Sequence, residues 1–130
     1  MSFKVIIILL LFAGAGVANG ICDALVFHYP KTGFAKEDTF WNPYISWKNK
    51  YKDGDVKQGP KFPGSTTVFV SLTDAWHLFK MLQLLCIKLA VLFAASMAVK
   101  RPFWYWVFAF VALTSFMGLG FKIFYSWIWG

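Results

Sequence analysis

Ser71, Asp74, His77 and Lys88 are the residues of this chain whose types and spacing most invite chemistry. Set on one helix at 100° per residue they fall within an arc of about 120°, with Lys80 off to one side. A hydroxyl, a carboxylate, an imidazole and an ammonium on one stripe could line an ion or proton path. A charge deep in lipid costs several kcal/mol unless paired, hydrated or turned inward, so Lys88, the deepest, is the most demanding of the four. The plainer alternative has its amine snorkel to a headgroup or pair with a neighbouring subunit.

A second set gathers at one interface. Cys22, Asp23 and His28 follow the first apolar segment, and Asp74 and His77 precede the second. These types can bind metal, but their spacing matches no zinc pattern, so neither a metal nor a cofactor is expected. Cys22 with His28, or Ser71 with His77, are pairings that many chains hold by chance, and catalysis is not expected from them. With only two cysteines there is no disulfide framework. Cys86 would lie about 15 Å deeper than Trp76 along its helix, beyond disulfide reach of Cys22, so two unpaired thiols are expected.

The elements that must position these groups are set by composition. The chain has 130 residues, 58% hydrophobic and 21% aromatic, far above a soluble domain's share. Its apolar residues lie in three blocks, Val5 to Val17, Trp76 to Val99 and Phe103 to Trp129. From Phe103 to Phe121 no residue is charged over nineteen positions, enough to cross a hydrocarbon core roughly 30 Å thick. The fold class read from this pattern is all-α. It is an integral membrane helical hairpin over 66–130, with spans at about 72–99 and 103–128.

Residues 1–20 admit two readings. Lys4, a 13-residue apolar run and the small residues Ala18, Asn19 and Gly20 have signal-peptide grammar, with cleavage after Gly20. Alternatively the segment is a transmembrane helix running on to about Phe27. The residues ahead of Cys22 depart from a lipobox.

Residues 21–65 form an extramembrane loop rich in lysine and aromatics. Asn42-Pro43 is a helix start, since asparagine caps free amides and proline suits the first helical position. A short helix to Lys52 would put Tyr44, Trp47 and Tyr51 on one face and lie in the headgroup region, with Phe40 and Trp41 beside it and Asp53-Gly54 as its stop. The bland alternative is that these aromatics only pack the loop on itself. Gly59 to Ser65 is a breaker cluster. Then either Ser65 caps a helix from Thr66, or Ser71 caps one from Leu72 with Asp74 in its third place. Lys100-Arg101-Pro102 is a tight turn. Phe103 to Trp106, and Lys122, Tyr125, Trp127 and Trp129, mark the two interfaces of the last span. Small residues such as Gly118, Gly120 and Ala94 to Ala98 suit close helix approach.

The net charge is +7, with seven lysines between Ile21 and Ser65 partly offset by acids. Lysines beside a membrane solvate a loop or meet anionic headgroups, and no motif points to nucleic acid. Lys4 and Lys100-Arg101 favour the cytoplasm, which leaves the 21–65 loop outside; the loop lysines count against this orientation.

The stretch from Phe40 to Lys80 resembles uncharacterised small bacterial membrane proteins. The resemblance rests on Phe40-Trp41-Asn42-Pro43, Ile45 to Tyr51, Phe62 to Thr67 and Leu72 to Lys80. It implies that the loop and the start of the second helix act as one unit, and it brings no activity with it. The expectation is a bacterial inner-membrane protein of accessory or structural type. Trp41, Tyr44, Trp47, Tyr51 and Trp76 would contact the lipid bilayer, a second copy of the chain or another membrane protein. A holin-like pore or small transporter using the polar stripe is the alternative, and a lipid-acting enzyme with Asp74 and His77 at headgroup level the third.

Overall fold

The computed structural model describes residues 1–129. Its elements are α1 (Phe3–His28), α2 (Pro43–Ser46), α3 (Ala75–Ala98) and α4 (Phe103–Trp129), with short 3-10 turns between α1 and α3. Among the described residues there is no strand, only an isolated bridge between Tyr51 and Pro60. The chain is therefore all-helical. Three of its helices, α1, α3 and α4, are long and apolar enough to cross a membrane. At 24 residues α3, the shortest, is about 36 Å long.

The chain divides into two compact bodies, Ala13–Cys86 and Met1–Phe12 with the residues from Ile87 onward. In the first, α1 buries Ala15, Ala18, Cys22 and Leu25, spaced by three and four so that they share one face. Small side chains there allow close helix approach: a Cβ on Gly14 would stand 3.5 Å from Cys86 Sγ. Gln83 Nε2 donates to Asn19 Oδ1 at 3.1 Å, and Cys22 Sγ donates to the Trp76 carbonyl at 3.6 Å. Partners on α3 fall from 86 to 83 to 76 as those on α1 rise from 14 to 19 to 22, which is an antiparallel register. Both cysteines are unpaired thiols.

Between α1 and α3, residues 29–74 fold into a cap built from side-chain-to-backbone hydrogen bonds. Asp38 Oδ1 accepts from the N–H groups of Phe40 and Trp41 at 2.9 and 2.8 Å. Asn42 caps α2 by accepting from the Tyr44 N–H at 3.0 Å, in keeping with the Asn42-Pro43 signal. Asn49 Nδ2 donates to the carbonyls of Thr39 and Thr73 at 2.6 and 2.9 Å, joining the middle of the cap to both its flanks. The first amide of α3, at Ala75, donates to the Phe40 carbonyl at 3.0 Å. Loop and helix start are thus bonded to each other directly.

Two boundaries differ from the sequence reading. The helix expected over 43–52 is α-helical only to Ser46, continues as a 3-10 turn to Lys50, and leaves Tyr51 extended. The Lys50 carbonyl is taken by Ser65 Oγ at 2.7 Å and the Lys61 N–H at 2.9 Å, so nothing draws the helix onward. The second span starts at Ala75, capped by neither Ser65 nor Ser71. Asp74 is itself the cap, its Oδ1 accepting from the His77 N–H at 2.9 Å, and Ser71 lies in a preceding 3-10 turn.

In the second body Lys88 Nζ donates to Thr114 Oγ1 at 3.0 Å and stands 4.9 Å from the Phe110 ring centre. Lys88 is thereby met by a hydroxyl and an aromatic face.

Candidate functional site

The first turn of α3 builds the most highly bonded group in the molecule. Asp74 is only 2% exposed and its carboxylate accepts three hydrogen bonds. These come from the His77 N–H at 2.9 Å, the His77 ring Nδ1 at 2.7 Å and the Thr73 hydroxyl at 3.1 Å. Burial alone would raise its pKa, but the bonds from His77 and Thr73 outweigh it and hold the carboxyl below its usual range. An ionised carboxylate has no proton to give, so Nδ1 of His77 is the donor in this contact.

His77 borders a cleft of roughly 260 Å3, walled also by Val26, Ser46, Trp47, Asp74 and Trp76. The cleft lies at the level of two helix ends, the last turn of α1 and the first of α3. Chemically it offers apolar rings with one oriented imidazole, which can accept a hydrogen bond or a proton.

Of the expected polar stripe, Asp74 and His77 are in direct contact, Lys88 of the same helix is bonded to Thr114, and Ser71 lies in a 3-10 turn ahead of the helix. Among the described residues no three histidine, cysteine, aspartate or glutamate side chains are grouped as a metal ion would need.

The aromatic set divides in two. Trp41 is stacked on Phe34 at 4.6 Å and tilted against Phe79 at 5.7 Å, and Trp76 packs on the cluster of Leu25, Tyr29 and Ala75. Both are partly buried against the cap's own interior, and Trp76 also walls the cleft. Tyr44 and Trp47 are 64% and 42% exposed. Tyr51 meets Trp47 edge-on at 6.4 Å, while Lys48 and Lys50 place their ammonium groups over the rings of Trp47 and Tyr51 at 5.5 and 5.6 Å.

A polar chain that spacing did not reveal joins the two helices. Lys80 Nζ donates to Gln83 Oε1 at 3.0 Å, Gln83 to Asn19, and Asn19 Nδ2 to Asp23 Oδ2 at 3.3 Å. Two side-chain amides thus link a cation on α3 to a carboxylate on α1. The only legible signal was polar residues at helical spacing inside apolar runs.

No family model, curated protein or solved structure matches this chain.

Proposed function

We propose that the chain is a small integral membrane protein of accessory type, held by three spans, whose 29–74 cap docks on lipid headgroups through Tyr44, Trp47 and the lysines beside them. The observation that carries this reading is the cap's construction. Its backbone polar groups are bonded inward to the start of α3, while amphipathic rings with cations over them face outward at the level of the helix ends. Rings of this kind favour the headgroup region. A folded platform presents them without the ordering cost a flexible loop would bear.

Retention of residues 1–20 as the first span is supported by the same body. Cleavage after Gly20 would remove Ala15, Ala18 and Asn19 from the packed face and leave Gln83 without its partner. Lys4 ahead of the first apolar run and Lys100-Arg101 in the turn before α4 favour the cytoplasm for those segments, and two spans between them support a cap outside it. The motif resemblance supports a bacterial inner membrane as the location. None of the span window of α4 is buried, so lipid, a second copy or another membrane protein covers it.

The test uses Trp47 as reporter in the intact chain reconstituted in nanodiscs. The fluorescence difference between wild type and Trp47→Phe is expected to be quenched by headgroup-labelled lipid, and Tyr44→Ser is expected to weaken that quenching. A Trp47 signal untouched by the label but open to an aqueous quencher would contradict headgroup contact. Trp76 is unsuitable for this purpose, because changing it disturbs the cap's interior.

A further inference from the structure

We propose that the groove between α3 and α4 binds one anionic phospholipid, an acyl chain lying along its floor and the phosphate meeting Lys100 and Arg101. This site rests on the membrane reading above. The groove has a volume of roughly 380 Å3, and its walls include Leu92, Phe93 and Ser96 of α3 and Phe103, Trp106 and Phe110 of α4. The polar atoms in those walls are already engaged. Ser96 Oγ donates to the Phe93 carbonyl at 2.7 Å and Trp106 Nε1 to the Arg101 carbonyl at 3.3 Å. What is left for an occupant is hydrocarbon surface. From Phe103 to Phe110 the groove runs about 10 Å along the helix axis, away from the turn, as a chain descending from a headgroup would.

Charge selects the headgroup. The body formed by Met1–Phe12 and the residues from Ile87 onward contains Lys4, Lys88, Lys100, Arg101 and Lys122 and no aspartate or glutamate. Among the described residues no lysine or arginine forms an ion pair with a carboxylate; the sole acid–base contact is His77 with Asp74. Lys100 and Arg101 are exposed at the turn end of the groove, and the Arg101 guanidinium lies 5.7 Å from the Tyr105 ring centre. The countercharge must be supplied from outside, and an anionic phosphodiester with an apolar tail supplies charge and filling together. A second copy docking through the same face would bring the same cations to the contact and no carboxylate.

The experiment is native mass spectrometry of the intact chain in mild detergent with equimolar dimyristoyl phosphatidylglycerol and dimyristoyl phosphatidylcholine. The wild type is expected to retain one phosphatidylglycerol in preference. Lys100→Gln with Arg101→Gln is expected to weaken its retention about 10- to 30-fold, at about 1 kcal/mol for each cation near the surface. Ser96→Phe, or Leu92→Trp as a second groove-filling variant, is expected to abolish retention of either lipid. Equal retention of the two lipids, retention indifferent to the charge and groove variants, or a lipid-free dimer would each overturn the site. Release of the wild type from membranes by a carbonate wash would overturn the membrane reading and the site with it, whereas an inserted protein without lipid preference overturns the site alone.

Discussion

Asp74→Ala is expected to destabilise the junction of cap and α3 by about 2–4 kcal/mol. The loss combines a helix cap, worth about 1 kcal/mol, with charge-assisted hydrogen bonds worth about 1.5–3 kcal/mol. It also removes the partner that orients the His77 ring, while the Thr73 hydroxyl keeps the Val70 carbonyl at 2.7 Å. Asp74→Asn separates the two contributions, because asparagine caps as well as aspartate but carries no charge to hold the imidazole. Its cost should fall well below that of the alanine variant. Hydrogen exchange at the His77 amide reads both. The alanine variant should lose about 30-fold of protection or more, which corresponds to about 2 kcal/mol.

The pH dependence of the same contact has a definite sign. The folded-state pKa of Asp74 lies below the usual carboxylate value. Its contribution is therefore complete above that usual value and is lost only as the pH falls through the lowered one. Between about pH 5 and 8 the Asp74 carboxylate should add no slope to the cap's stability. The acid limb it produces should vanish in Asp74→Asn.

Gly64→Ala is the second change with a large expected effect. Gly64 has a φ of +83°, and a Cβ there would stand 2.8 Å from Phe69 Cδ2. The Phe69 backbone cannot simply back away, since its N–H donates to the Gly64 carbonyl at 2.8 Å. A left-handed backbone costs a residue with a Cβ about 1–2 kcal/mol, and overpacking adds about 1–3 kcal/mol. Together about 2–5 kcal/mol is expected. Removing the ring in Phe69→Ala should relieve the steric share and leave the conformational one. A double-mutant cycle read by thermal unfolding in detergent should then show a coupling of about 1–2 kcal/mol. A cycle with no coupling would mean that the ring and Gly64 do not touch.

What the sequence made legible was what composition alone decides. The long apolar blocks give α3 and α4, because so apolar a stretch has few structural solutions other than a long helix, whereas the 13-residue first run by itself fits a signal peptide as well as α1. Asn42-Pro43 marks α2 because its signal is local. The cap was opaque for the opposite reason: Asn49, Ser65 and Asp38 act across ten to twenty-four residues or within tight turns, and no periodicity announces such bonds. The sequence pattern sets Asp74 in a capping box under Ser71, whereas its own carboxylate reaches the His77 amide and the helix starts later. That shift takes Ser71 out of the stripe. Helical-wheel geometry cannot foresee it, since the wheel assumes the helix it is used to argue. The same limitation explains Tyr51, whose preceding carbonyl is captured by Ser65 before the turn can continue.

Trp41 and Trp76 carry a related lesson. Aromatic composition flags an interface, but only packing separates rings that build the platform from rings that it presents. Here Phe34, Phe79 and the Leu25–Tyr29–Ala75 cluster claim the former and leave Tyr44 and Trp47 as the latter.

The central claim is that three helices, the first included, lie in the membrane as parts of one mature chain. Intact mass measured on protein from carbonate-washed membranes tests it most directly. A membrane-retained species at 14.8 kDa, with Met1 to Gly20 still attached, is expected. A species beginning at Ile21, or recovery of the chain in the wash, would contradict it.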